Sequence, residues 1–262
     1  MMIHPSPGAM KTRRQRIMIS GLPGTRKTTS LLTFPRPIGI VSFPGEKGYD
    51  TIPLDDPTII PFVYQADSAT VVNSDKILAE VDRTMVDLIA GKHGSIQTLA
   101  GDGLHKFVDY VLDSVTGGAY FGGEEFEPKL YRRAYDAFTS YLDRWCQTMI
   151  PVVVFTCWAE YEADRIRKPG EKQSDIPSYI YPALPGKLAK SILGEFSVVV
   201  HQTLRKGAPT DQEVSGYWQT RPAGEVKGCT IKGPVEIVKR IPTFIKADYQ
   251  ELTRYWAEEA PS

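Results

Sequence analysis

The stretch GLPGTRKTTS has residues of the right type and spacing for phosphate chemistry. It supplies Gly21, four residues, and then Arg26-Lys27-Thr28 where a phosphate-binding loop carries Gly-Lys-Thr/Ser. In such a loop, backbone N–H groups and the following helix N-terminus surround the β-phosphate. The lysine reaches the β and γ oxygens, and the hydroxyl holds Mg2+. Lys27 and Thr28 take those last two roles here, with Gly21, Gly24, Thr25, Arg26 and Thr29 completing the candidate nucleotide-binding set. The alternative is an ordinary turn that carries Gly and Lys, and the flanking composition argues against it.

The departure is Arg26. Glycine at this place lets the backbone take left-handed dihedrals and approach the phosphates, and a side chain forced to positive φ costs about 1–2 kcal/mol. If the local dihedrals suit any residue, Arg26 instead points outward and adds a cation near the phosphates or towards a neighbouring subunit. The sequence leaves both readings open.

Two carboxylates could complete the chemistry. Asp102 ends an apolar stretch, IQTLAGD, that follows Lys27 by 75 positions, where a P-loop enzyme places the Walker B aspartate that orients Mg2+ through water. Ala100 and Gly101 make that stretch unusually small. Glu46, in FPGEKGYD, follows the second apolar run and is the candidate general base for an attacking water. A solvated turn carboxylate beside Lys47 is its other reading.

These residues need strands and helices to hold them. RIMIS (Arg16 to Ser20) reads as a strand, and TTSLLTF as a helix that ends at Pro35. IGIVSF reads as a buried strand and TIIPFVYQ as another, interrupted by Pro61. In KILAEVDRTMVDLIAGK the apolar residues fall at helical spacing, with Gly91 placed to end the helix. A Gly/aromatic loop, Thr116 to Pro128, precedes a long helical pattern and then the most hydrophobic strand, PVVVFTC. Tyr161 to Pro185 reads as a long loop, followed by a short helix (KLAKSIL), strands around SVVVHQTL and GYWQTR, and a last helix from Asp248 to Glu259. Alternating strands and helices predict an α/β fold: a mostly parallel twisted sheet flanked by helices, with a late antiparallel extension and ligands outside the carboxyl ends of the strands. Residues 1–15 read as a flexible basic arm and residues 16–262 as a single domain.

Composition sets further bounds. The 262 residues carry 31 Lys+Arg and 31 Asp+Glu, so no global field draws the chain to nucleic acid or lipid. Three widely spaced cysteines, with no CxxC, argue against a disulfide framework or a zinc site. The four histidines do not cluster. No apolar run has the length of a bilayer span, and the N-terminal stretch lacks a signal-peptide core, so a cytoplasmic protein away from membranes is expected.

Taken in order, GLPGTRKTTS, Glu46, the aspartate in TLAGDGLHKF, the strand PVVVFTCW and the pattern WQTRPAGEVKG resemble the small RecA-like P-loop ATPases of bacteriophages, some of which act in recombination as single-strand annealing proteins. The resemblance spans roughly residues 15 to 255, and the P-loop is its specific motif. It implies a RecA-like core using ATP and Mg2+, in which the strand carrying Asp102 is not the immediate neighbour of the P-loop strand. Glu46 would be the catalytic carboxylate. It also implies a γ-phosphate sensor at the end of PVVVFTC, where Thr156 and Trp158 stand, and a basic residue, Lys227, that contacts nucleotide across a subunit interface. The implied partners are single-stranded DNA, further copies of the chain in an oligomer or filament, and a single-strand binding protein.

DNA would meet Tyr120 and Phe121 in the Gly-rich loop and Arg165, Arg167, Lys168, Lys172, Tyr179 and Tyr181 in the long loop. Basic side chains neutralise phosphates there while aromatics stack on bases. Two rival functions fit the same residues: a nucleotide-binding scaffold that has lost hydrolysis, with Arg26 as the mark of the loss, and a small-molecule phosphotransferase whose lid carries Arg165 and Arg167.

Overall fold

Buried parallel strands need continuous apolar runs, because both faces of the sheet are covered. The computed structural model builds such strands at each of the short apolar stretches, and it describes residues 14–64, 73–122, 127–161, 179–185, 191–206 and 214–257. In chain order the elements are β1 (Gln15–Gly21), α1 (Lys27–Leu31), β2 (Ile38–Ser42), β3 (Ile59–Val63), α2 (Ser74–Ile89), β4 (Thr98–Asp102), α3 (Leu104–Val115), α4 (Ala119–Gly122) and α5 (Pro128–Gln147). Then come β5 (Val152–Tyr161), β6 (Ile180–Pro182), β7 (Val198–Lys206), β8 (Val214–Gln219), β9 (Thr230–Ile231), α6 (Val235–Arg240), β10 (Phe244–Lys246) and α7 (Tyr249–Ala257). Contacts divide the chain into two compact units, residues 35–155 and residues 1–34 with 156–262.

In the unit of residues 35–155, β2 pairs in parallel with β3 and β4, and β4 pairs in parallel with β5. Among the described residues the strand carrying Asp102 is therefore flanked by β2 and β5. β2 and β4 are buried along their whole length. Pro61, which donates no backbone hydrogen bond, sits on β3 at the end of the strand order, where a proline is tolerated. The small residues before Asp102 have a packing cause. A Cβ on Gly101 would lie 2.5 Å from the ring of Phe155, which itself packs at a tilt against Trp145 of α5, with ring centres 4.6 Å apart.

Helix α2 begins at Asn73, whose side chain accepts the Lys76 N–H at 3.0 Å, and it buries Ile77, Leu78, Val81, Met85 and Leu88. Helix α5 starts with Pro128 in its first turn and places Ala134, Phe138, Leu142 and Trp145 in the core.

In the other unit, β1 pairs in parallel with β7, while β7–β8, β8–β10, β7–β9 and β5–β6 are antiparallel. The late antiparallel extension is thus built by β8 and β10. Helix α1 is shorter than TTSLLTF predicts: it ends at Leu31, and Thr33 accepts the Tyr249 N–H of α7 while Phe34 packs on Tyr249 and Trp218. Pro35 therefore follows a turn rather than the last helical residue. The Gly/aromatic segment also departs from the expected loop, because residues Ala119–Gly122 form one helical turn.

Among the described residues no helix is long and apolar enough to cross a membrane. Arg165, Arg167, Lys168 and Lys172, together with the basic arm up to Arg13 and most of KLAKSIL, lie outside the described residues.

Candidate nucleotide site

The loop from Gly21 to Thr28 joins β1 to α1, the strand, loop and helix order a phosphate loop requires. Arg26 answers the question its identity raises. Its backbone stands at φ 63°, ψ 33°, the left-handed conformation that glycine supplies in the usual motif, and its side chain is exposed. The loop therefore keeps its shape with an arginine in it, at the strain such a conformation carries.

Several contacts hold that shape. Gly21 lies so close to β7 that a Cβ there would sit 2.7 Å from both the Gln202 carbonyl oxygen and Thr25 Oγ1. Gln202 acts as a strut: its Nε2 donates to the Thr25 carbonyl at 2.7 Å, and its Oε1 accepts from the buried Trp218 indole at 3.0 Å. Thr25 Oγ1 donates to the Leu22 carbonyl at 2.8 Å. Lys27 is only 7% exposed, and its Nζ donates to the carbonyls of Gly21 at 2.8 Å and Leu22 at 3.0 Å. Thr28 is half-buried and Gly24, at φ 79°, and Thr29 are exposed.

Behind the lysine, His201 on β7 is buried and contacts Ser20 Oγ through Nδ1 at 3.3 Å. Burial, with the Lys27 charge adding to it, pulls the imidazole pKa down to about 4. A neutral ring beside Lys27 leaves the ammonium as the local positive charge. Neither Gln202 nor His201 is a motif residue, and their only trace in the sequence is their place on an apolar run, so reading along the chain misses them.

In the unit of residues 35–155 the two carboxylates come together at the carboxyl ends of β2 and β4. Asp102 is 1% exposed and ends β4. Gly103 follows at φ 98° and turns the chain into α3. Only glycine fits, because a Cβ there would lie 2.5 Å from Glu46 Cγ and 3.0 Å from Glu46 Oε1. His105 Nε2 stands 2.8 Å from that same oxygen, with both side chains under a tenth exposed. The approach lacks the alignment of a hydrogen bond, and among the described residues no aligned donor reaches Oε1.

The loop carrying Glu46 is pinned to α3 further along. Tyr110 Oη donates to the Pro44 carbonyl at 2.9 Å, and Phe43 stacks on Phe107 at 5.0 Å. Burial and the nearby Asp109 and Glu46 charges push the Tyr110 phenol up to about 12, so it remains a donor. Glu46 is therefore a fixed, enclosed side chain rather than a solvated turn carboxylate.

A model of an AAA domain family, AAA_24, matches residues 13–227. The chain belongs to this family. The match takes in the P-loop, Glu46, Asp102 and Lys227, so this AAA domain protein is a P-loop ATPase by family and an α/β protein by fold. A search of curated proteins finds no match. Among solved structures, a KaiC-like protein from the hyperthermophilic archaeon Pyrococcus horikoshii OT3 gives a loose likeness, with TM-score 0.37 and 14% identity over 87% of this chain and 85% of that one.

The remaining candidates of this AAA domain protein fall elsewhere. Lys227 is exposed and lies 5.1 Å from the centre of the Tyr179 ring. Thr156 is buried in β5 and Trp158 is exposed on it. Tyr120 donates to Asp109 at 2.8 Å, and Phe121, 45% exposed, packs edge-on against Tyr110 at 5.7 Å. Among the described residues no group of three or more His, Cys, Asp or Glu could cage a metal. The Thr28 hydroxyl in one unit and the Asp102 carboxylate in the other are each a hard oxygen donor of the kind Mg2+ takes.

Proposed function

We propose that this AAA domain protein binds and hydrolyses ATP. The supporting observation is the loop itself: Arg26 takes the left-handed backbone of the glycine it replaces, and Lys27 lies against the carbonyls of Gly21 and Leu22. In this reading the loop N–H groups and Lys27 bind the β and γ phosphates, Thr28 ligates Mg2+, and Asp102 orients the ion's water shell. Bound Mg2+ neutralises charge on the phosphate oxygens. Glu46 takes a proton from water as its oxygen bonds to the γ-phosphorus, the bond from that phosphorus to the bridging oxygen breaks, and ADP and phosphate leave.

The cellular role in this reading is RecA-like action on single-stranded DNA in phage recombination or annealing. A cytoplasmic oligomer or filament, with Lys227 reaching the neighbour's nucleotide and a single-strand binding protein as a further partner, completes it. Support for the DNA step is compositional, from the exposed Phe121 and the Lys227–Tyr179 pair in the described residues.

The test is Mg2+-dependent ATP hydrolysis with and without single-stranded DNA, at fixed salt, for the wild type, Lys27→Ala and Glu46→Gln. Turnover raised by DNA, lost in both variants, with ATP binding kept only in Glu46→Gln, supports the whole reading. ATP binding retained by Lys27→Ala would sink the site. Tight binding without turnover in the wild type makes the protein a scaffold, and phosphate transfer to a nucleoside monophosphate makes it a phosphotransferase.

A further inference from the structure

Glu46 is enclosed by one short turn. Residues 102–105 carry Asp102, then Gly103 against the Glu46 side chain, then His105 with Nε2 at 2.8 Å from Glu46 Oε1. The turn presents a ring nitrogen of the buried His105 to the Glu46 carboxylate. Tyr110 and Phe107 of the same helix hold Pro44 and Phe43, so α3 fixes both the backbone and the carboxylate of the Glu46 loop.

We propose that His105 is a positioning residue that holds the Glu46 carboxylate in the rotamer from which it takes the proton of the attacking water; the inference rests on the ATPase reading. A carboxylate on a Glu side chain has three rotatable bonds, and general-base catalysis demands hydrogen-bond reach of one water. The Gly103 backbone closes one side of the carboxylate and the His105 ring another. The side chain is thereby restrained before nucleotide arrives.

The experiment measures steady-state kcat and KM for ATP in the full chain for the wild type, Glu46→Gln, His105→Leu and His105→Gln, with thermal unfolding of each. Leucine fills the space of the ring without a polar atom, and glutamine offers an amide donor near the place of Nε2. The expected result is a kcat lowered about 10- to 100-fold in His105→Leu with KM for ATP unchanged. In His105→Gln, kcat recovers to within about threefold of the wild type. If His105→Leu turns over as fast as the wild type or faster, or if its loss is all in KM, the inference is overturned while the ATPase reading stands. A loss in His105→Leu that His105→Gln does not recover, at equal melting temperatures, also overturns it. Absence of turnover in the wild type, or turnover that survives in Glu46→Gln, removes the general base and the inference with it.

Discussion

Replacing Arg26 with glycine should stabilise the protein. Arg26 stands at φ 63°, ψ 33°, where a Cβ crowds the carbonyl oxygen at a cost of about 1–2 kcal/mol. Glycine removes that crowding, but its greater freedom in the unfolded chain offsets about 0.4–1 kcal/mol of the gain. The net is a stabilisation of about 1 kcal/mol, or about 2–4 °C in melting temperature for a chain of this size. Arg26→Ala is the control, since it removes the guanidinium and keeps the Cβ in the same dihedral region. Denaturant unfolding of the wild type, Arg26→Ala and Arg26→Gly, read by circular dichroism, separates backbone from side chain. Glycine should exceed alanine by about 1 kcal/mol with unchanged denaturant slope. A glycine variant no more stable than the alanine variant would refute the argument that the arginine is strained.

Other outcomes follow from the same contacts. Gly21→Ala must move either the Gln202 backbone or Thr25, so nucleotide binding should be lost and the melting temperature should fall, as read by a fluorescent ATP analogue and calorimetry. Gln202→Leu leaves the Trp218 indole and the Thr25 carbonyl without their partner, which costs about 1–3 kcal/mol in denaturant unfolding; an unchanged midpoint would discount the strut. His201 titrates near pH 4 when folded and near 6.5 when unfolded. The unfolded chain therefore binds more protons between those values, and stability is full above pH 6.5 and falls as the pH drops towards 4. From pH 7 to pH 5 the wild type should lose about 2 kcal/mol more than His201→Gln, and equal losses would refute it.

How much of this the sequence carries depends on the range of the cause. The P-loop, the buried strands and the strand-end carboxylates are local patterns of residue type, and Asp102 and Glu46 can be placed by reading along the chain. Pro61 interrupts its run without ending the strand, because its position at the end of the strand order is a tertiary fact. The end of α1 is likewise set by Thr33 and Phe34 meeting a helix more than 200 residues away. Gln202 and His201 lie in an ordinary apolar strand, and only the parallel pairing of β1 with β7 brings them beneath the loop. His105 was equally silent: it is three residues from Asp102, but its partner is 59 positions back in the chain.

That difference in range explains how Arg26 can stand where glycine is usual. The loop's dihedrals are not chosen by residue 26 alone. Thr25 is tied on one side by its own hydroxyl to Leu22 and on the other by Gln202, which Trp218 holds in turn. Lys27 bridges back to Gly21 and Leu22. Residue 26 sits between two anchored neighbours, and each anchoring hydrogen bond contributes about 1 kcal/mol. Their sum exceeds the strain of one left-handed side chain, so the surroundings impose the conformation that glycine would adopt freely. The arginine thus marks a loop whose shape is enforced from β7 and β8, and a change in either strand reaches the loop backbone directly.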